Sequence, residues 1–472
     1  MAIAVVVMSV CASVAASSQR ESTTFYLSPS GRDSADGRSP EHPMRSFERA
    51  FSKLQAGDEL VLLDGTYSAA SGTGTIHWDN GSASAQIPSG TAQRPTVVRA
   101  QNPGSVRIIG PLFIGRSNRK DSYIRIQGLT FEGGGSLYNS SFVTLKDVGF
   151  HGPFDIGTND HHQGNTDNLV EDVWIWSAGA RVIAINYRAH RNVWRRVLVR
   201  GDGCGTSACS GSGNPNVGFT VYDSMDVSVQ NVMVIDRVLA GSDSPYADFA
   251  CAQHTSDPRY YFGRNEWLGV LSLNSPDIGF YCEPDEIIDQ TPTLKLIDSV
   301  FWNARQGGVN IARAGQRHHI RNLRIRSSGD GFRFAPALKS SGASIGELII
   351  DGDGRFAVNS SVAVSGAAIS GRWNAPVNQA GCAERCSYST IPDPRYELPG
   401  LALIGYGRDG TRHGEEGFDA PSGKPLWPWP NDARIRNEMC AATSRGFCAA
   451  GTTISSYVAG SDFRTESSSD DR

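Results

Sequence analysis

Val143-Thr-Leu-Lys-Asp-Val-Gly-Phe150 and Leu169-Val-Glu-Asp-Val-Trp-Ile175 share one form: alternating apolar residues, a polar corner, then a second apolar pair. Ile124-Arg-Ile-Gln-Gly-Leu-Thr-Phe131, Val193-Trp-Arg-Arg-Val-Leu-Val199, Val227-Ser-Val-Gln-Asn-Val-Met-Val234 and Ile320-Arg-Asn-Leu-Arg-Ile325 repeat it. A shorter motif falls between the corners, in Phe154-Asp-Ile156, Ile183-Ala-Ile185, Phe219-Thr-Val221, Val309-Asn-Ile311 and Phe332-Arg-Phe334. Period-two alternation means strands with one buried face. Several short strands per repeat, with no helical period between them, describe one coil of an all-β parallel solenoid, a β-helix. The corner column Asp147, Asp172, Asn231 and Asn322 reads as a ladder of turn residues bonding backbone, not as chemistry.

Working outward, Phe47, Ala50, Phe51 and Leu54 fall at i, i+3, i+4 and i+7 and predict a short amphipathic helix that plugs the open end of the solenoid. Past Gly371 the repeats stop. A Pro-aromatic segment, Leu426-Trp-Pro-Trp-Pro430, leads to a helix expected from Asn431 to Met439, in a tail that packs along or caps the last coils. The expected division is a signal peptide at 1–16, a β-helix with its cap at 24–371, a disulfide-stapled extension at 372–462 and a disordered tail at 463–472.

Met1 to Val10 is apolar but too short to span a bilayer, and small residues follow it, which predicts a cleaved leader and a secreted or periplasmic protein. Removing the leader takes Cys11 from the nine cysteines. The rest fall as the close pairs Cys204/Cys209, Cys382/Cys386 and Cys440/Cys448, with Cys251 and Cys282 farther apart. Outside the cell these read as disulfides stapling loops, ahead of zinc, because no CxxC spacing occurs. A net charge of −4 gives no steering toward nucleic acid, no segment is long enough for a membrane span, and a monomer is expected.

Tyr26-Leu-Ser-Pro29, Ala56-Gly-Asp58 and Asp64-Gly-Thr-Tyr67, together with the repeats, resemble the start of secreted right-handed parallel β-helix proteins of the pectate-lyase-like group. The likeness runs from Thr24 to Gly371. It implies that fold, and for many members a polysaccharide-lyase activity. The scaffold also carries hydrolases and adhesins, so activity must be argued from the site.

Inserted loops at Gly157–Asn168, Gly201–Asn216 and Ala240–Asn265 surround the arginine-rich coil Arg181–Arg200, where a groove is expected. The leading expectation is a polysaccharide lyase acting on an acidic, uronate-containing polymer by β-elimination. Arg181, Arg188, Arg191 and Arg195 would bind carboxylate. His161, His162 and His190 are base candidates, and Tyr187 or Tyr222 would serve the leaving oxygen. A solvated face balanced by Glu171, Asp172 and Asp202 is the competing reading of that basic coil. Glu283-Pro-Asp-Glu-Ile-Ile288 resembles the acidic calcium segment of chondroitinase-B-type lyases, which implies a Ca²⁺ site on Glu283, Asp285 and Glu286; the lysine that follows in that family is displaced here to Lys295. A glycoside hydrolase using Asp155, Asp160, Asp167 or Asp202 is the second reading, and a non-catalytic glycan-binding adhesin the third. Asn165-Thr-Asp167 starts like a polygalacturonase motif, but no paired Asp-Asp, Gly-His-Gly or Arg-Ile-Lys follows.

Overall fold

The computed structural model describes residues 20–457 apart from 77–85, 117–118, 158–163, 178, 206–215, 241–245, 253–264, 284–292, 312–316, 328–329, 442, 450 and 455–456; from 335 to 430 it describes only strand segments. Two long sheets wind along the chain, and their strands pair in parallel from each coil to the next. One sheet holds Thr24–Leu27, Glu59–Leu62, Thr96–Ala100, Thr144–His151, Leu169–Ser177, Val193–Gly201 and later strands. The other holds Leu112–Ile114, Gly135–Leu137, Phe154–Gly157, Val182–Tyr187, Val217–Tyr222, Ala247–Ala252, Ile278–Glu283 and the strands after them. This is a right-handed parallel β-helix, the hand that parallel crossovers adopt. Parallel pairing continues to Cys382–Glu384, past the change of sequence character at Gly371.

The corners explain the repeated motif. Asp147, Asp172, Arg196 and Asn231 lie in register on successive coils, each with left-handed φ between 50° and 55°. Gly128 and Gly269 hold the same position on the flanking coils. A single left-handed residue bends the strand and shifts its side-chain phase by one. Leu145 and Val148, on either side of Asp147, therefore both face the interior, where they are buried with Phe150. The turn ladder is as expected, except that Arg196 occupies one rung.

Inside, aromatic rings meet between coils, Phe131 on Phe150, and across the two sheets, Phe150 on Phe154 and Trp194 edge-on to Phe219. The Ile183-Ala-Ile185 motif is partly out of phase with this core: Ile183 is buried in it, but Ile185 is not. Register pairs Phe154 with Ala184 and Ile156 with Asn186, so Ala184 and Asn186 point inward. The inward Asn186 is satisfied there, its Oδ1 accepting the indole N–H of buried Trp194 at 3.3 Å. The shift turns Tyr187 to the outer face.

Helix α1 (Phe47–Lys53) forms where the periodicity placed it, with the Ser46 side chain accepting the Arg49 N–H and Phe47, Ala50 and Phe51 buried against the first coil. From Asn431 on, the described residues of the tail do not sit on the last coils. Helix α2 (Asp432–Met439) and the turn Gly446–Cys448 lie over the middle of the first sheet. There Ile435, Met439 and Phe447 cover an outward apolar stripe of Trp174, Leu198, Met233 and Leu271. Those four residues would otherwise face water. Glu438 ties the helix down by accepting from Trp174 Nε1 at 2.6 Å and Thr130 Oγ1 at 2.8 Å.

Cys440 pairs with Cys448 within this tail. Cys251 and Cys282 also form a disulfide, but it staples no loop: they are register neighbours on adjacent strands, buried inside the solenoid. Replacing both with Ala is expected to cost about 3–4 kcal/mol by the loop-entropy relation for their sequence separation of 31. Urea unfolding with and without reductant checks this, because reductant should destabilise the parent more than the variant. No helix among the described residues is long and apolar enough to cross a membrane.

Candidate functional site

Strands Val182–Tyr187 and Val217–Tyr222 leave the second sheet through short corners, whereas the connections after Gly157, Ala252 and Glu283 are longer. These two adjacent corners form a floor at the edge of the second sheet. Tyr187 and Tyr222 are register partners on its outer face, with ring centroids 5.3 Å apart. The Arg188 guanidinium lies over the Tyr187 ring at 4.8 Å, and Arg188 Nε is 3.4 Å from Asp223 Oδ2. Arg188, Arg191, Asp223 and Asp226 all take left-handed φ. Left-handed corner residues recur along the solenoid, at Phe142 and Asp167 among others, so these two corners are built like their neighbours.

The remaining expected residues divide. His190 is buried, and its Nδ1 accepts the Met225 N–H at 3.0 Å, so the neutral ring carries its proton on Nε2. It braces the neighbouring corner instead of presenting a proton-free nitrogen there. Arg191 grips Asp167 with two hydrogen bonds of 2.9 and 2.8 Å. Arg195 is buried against Glu171, which also receives Arg196 and Lys146. Burial pushes the Glu171 carboxyl up, but Arg195, Arg196 and Lys146 outweigh it and hold the carboxyl below its ordinary value. Much of the basic coil is thus used in coil-to-coil ion pairs. Arg181 lies at the opposite end of its strand from Tyr187, about 17–20 Å away along extended backbone. His161 and His162 are outside the described residues.

Glu283 lies two register steps beyond Tyr222 on the same outward column. Its Oε2 accepts the Tyr281 hydroxyl at 3.3 Å and the Tyr246 hydroxyl at 3.5 Å. Asp285 and Glu286 lie outside the described residues, and no cluster of three His, Cys, Asp or Glu side chains among the described residues could hold a metal ion. Lys295 stands between buried Leu294 and Leu296, beside Glu266 in register, on the other sheet.

Of the four hydrolase carboxylates, Asp160 is outside the described residues. Asp167 is held by Arg191, and Asp202 by Trp176, Arg200 and Arg445. Asp155 is different. Burial pushes its carboxyl up to about 6, against the opposing pull of the Ser136 hydroxyl, which donates to it at 2.6 Å. The folded chain therefore keeps this proton where the unfolded chain has lost it, and stability falls as pH rises from about 4 to about 6. Asp155→Asn is expected to raise the unfolding free energy by on the order of 1–3 kcal/mol above pH 7. Thermal unfolding across pH should show that gain vanish below pH 4.

Sequence reasoning missed Asp223, Tyr246 and Tyr281. A signal for Tyr281 existed: Phe249-Ala-Cys251 and Phe280-Tyr-Cys282 repeat the inward–outward–inward motif of Phe219-Thr-Val221.

No protein-family model matches this chain, and no curated protein sequence does. Several solved structures are similar to it at low identity. A GH136 lacto-N-biosidase from Eubacterium ramulus aligns with 78% of this chain and 67% of its own, at 12% identity and a TM-score of 0.43. An alginate lyase from Paenibacillus aligns with 75% and 99%, at 14% identity and 0.38. The pectate lyase Pel9A aligns with 85% and 90%, at 14% identity and 0.34.

Proposed function

We propose that this chain is a secreted or periplasmic polysaccharide lyase that cleaves an acidic, uronate-containing polymer by β-elimination at the Tyr187–Arg188–Tyr222 floor. The observation that carries the reading is the meeting of two phenols on one outward column with a guanidinium from the adjoining corner. Arg188 binds the uronate carboxylate and so stabilises the negative charge that builds at C5 as its proton leaves. One tyrosine, as phenolate, takes the C5 proton. The C5–H electron pair becomes the C4–C5 double bond, the C4–O bond breaks, and the departing oxygen takes a proton from the other phenol. His190 and Arg191 act as positioning residues through Met225 and Asp167. Arg195 supports the coil beneath, while Arg181, His161 and His162 belong to the reading only as contacts farther along the chain.

Calcium enters no step. Of the implied ligands Glu283 alone is described, and its carboxylate already accepts from two phenols. Disulfides buried in the solenoid and in the tail support an oxidising compartment. A monomer remains part of the proposal.

Asp155 favours hydrolysis as the second reading, because a carboxyl titrating near 6 suits a general acid. A panel of pectate, alginate, glucuronan and glycosaminoglycan, with and without chelator, separates the readings. New ultraviolet absorbance from the C4–C5 double bond supports elimination. Reducing ends without it support hydrolysis, and binding with neither supports the adhesin. Loss of activity with chelator would restore a calcium step.

A further inference from the structure

On the other sheet, Glu132, His151 and Trp176 lie in register on three successive coils. Glu132 uses both carboxylate oxygens: Oε1 accepts from Arg107 Nε at 2.8 Å, and Oε2 meets His151 Nδ1 at 2.6 Å. The His151 ring stacks on Trp176 at 4.2 Å with the planes only 4° apart, and Trp176 Nε1 donates to Asp202 at 2.6 Å. Nδ1 therefore carries the proton given to Glu132, and Nε2 of the neutral ring is an acceptor pointing away from that bond. Among the described residues the Arg107 guanidinium makes no other hydrogen bond, which leaves its terminal nitrogens to solvent.

Exposure sets this ladder apart from the one around Glu171. There Arg195 and Glu171 are 6% and 9% exposed, whereas here the side chains of Arg107 and His151 are 58% and 43% exposed. Ile109, next to Glu132 in register, is the exposed large apolar residue among those described. Nearby charges are already matched: Glu438 with Arg434, and Asp202 with Arg200 and Arg445.

We propose that Arg107, Ile109 and His151 form a second saccharide-binding site, distinct from the floor, that takes a uronate unit of an elongated chain. The Arg107 fork holds the carboxylate, His151 Nε2 accepts a sugar hydroxyl, and Ile109 meets the apolar face of the ring. Glu132 is a positioning residue that fixes both partners in advance, so binding orders little. The rungs advance about 4.8 Å along the solenoid axis, which suits a ligand extended in that direction.

The test is a titration of the full chain, carrying Tyr187→Phe and Tyr222→Phe so that the probe stays intact, with oligogalacturonate, oligomannuronate and a neutral cello-oligosaccharide. His151 ring resonances, assigned by their loss in His151→Gln, report binding. A uronate oligomer should shift them and the neutral one should not. Arg107→Ala should weaken binding about tenfold, the loss of one charge-assisted pair. Arg107→Ala in the otherwise parent chain should leave turnover of short substrates unchanged, which separates this site from the floor. Absence of any shift, equal shifts with the neutral oligomer, or unchanged affinity in Arg107→Ala would overturn the proposal.

Discussion

Arg237→Met is expected to lower the unfolding free energy by about 3–5 kcal/mol at neutral pH. Arg237 and Asp248 both have fully buried side chains, joined through Nε and Oδ1 at 2.8 Å. Nη1 also donates to Asn216, to its carbonyl oxygen at 3.2 Å and its Oδ1 at 2.7 Å, while Asp248 Oδ2 accepts from Ser272 at 2.7 Å. Asp277 lies close enough to feel both charges, and burial pushes its carboxyl up to about 6. Removing the guanidinium leaves Asp248 fully buried without its countercharge, held only by the Ser272 and Ser275 hydroxyls. Asp248→Asn combined with Arg237→Met removes both charges and should recover much of the loss, because replacing a pair costs less than breaking it. Chemical denaturation of the two variants decides. A loss below about 1 kcal/mol for Arg237→Met would mean that water reaches the pair.

Tyr187→Phe and Tyr222→Phe should each lower the elimination rate by about a hundredfold to ten-thousandfold, the range that positioned proton transfer supplies. Both rings keep their packing when the hydroxyl is removed, so the unfolding midpoint should hardly move. Arg188→Ala should raise KM as well as lower kcat, since the guanidinium touches bound substrate before the proton leaves. His190→Gln offers the contrast. It should disturb the corner through the Met225 N–H and lower activity less than either tyrosine variant. Rates within twofold of the parent for both tyrosine variants would move the chemistry away from this floor.

The solenoid was legible because its corners are periodic. Asp147, Asp172 and Asn231 mark one bend per coil, and the apolar phase change around them appears directly in the residue pattern. The site was legible only in part, and the reason is phase. Ile183 and Ile185 look like the inward pair; Ile183 is buried, but the register puts Ala184 and Asn186, not Ile185, in line with Phe154 and Ile156. A one-residue slip exchanges side chains between core and surface. Charge pairing was legible in outline, as the competing reading of the basic coil, but not pair by pair. Arg191, Arg195 and Arg196 meet Asp167, Glu171 and Asp172 only because each lies one coil away in register, about 24 residues back along the chain. The sequence names Glu171 and Asp172 as balancing acids, but which arginine meets which acid, and that Asp167 takes Arg191, appears only with the register. The tail was misplaced because the Trp174–Leu198–Met233 stripe reads as core alternation, with nothing in it to mark an outward face.

The most direct measurement counts unsaturated ends against reducing ends as the protein degrades an acidic polysaccharide. Elimination at the Tyr187–Arg188–Tyr222 floor predicts one C4–C5 double bond for each new reducing end, and loss of both signals together in Tyr187→Phe. New reducing ends with no double bond, undiminished in that variant, would contradict it.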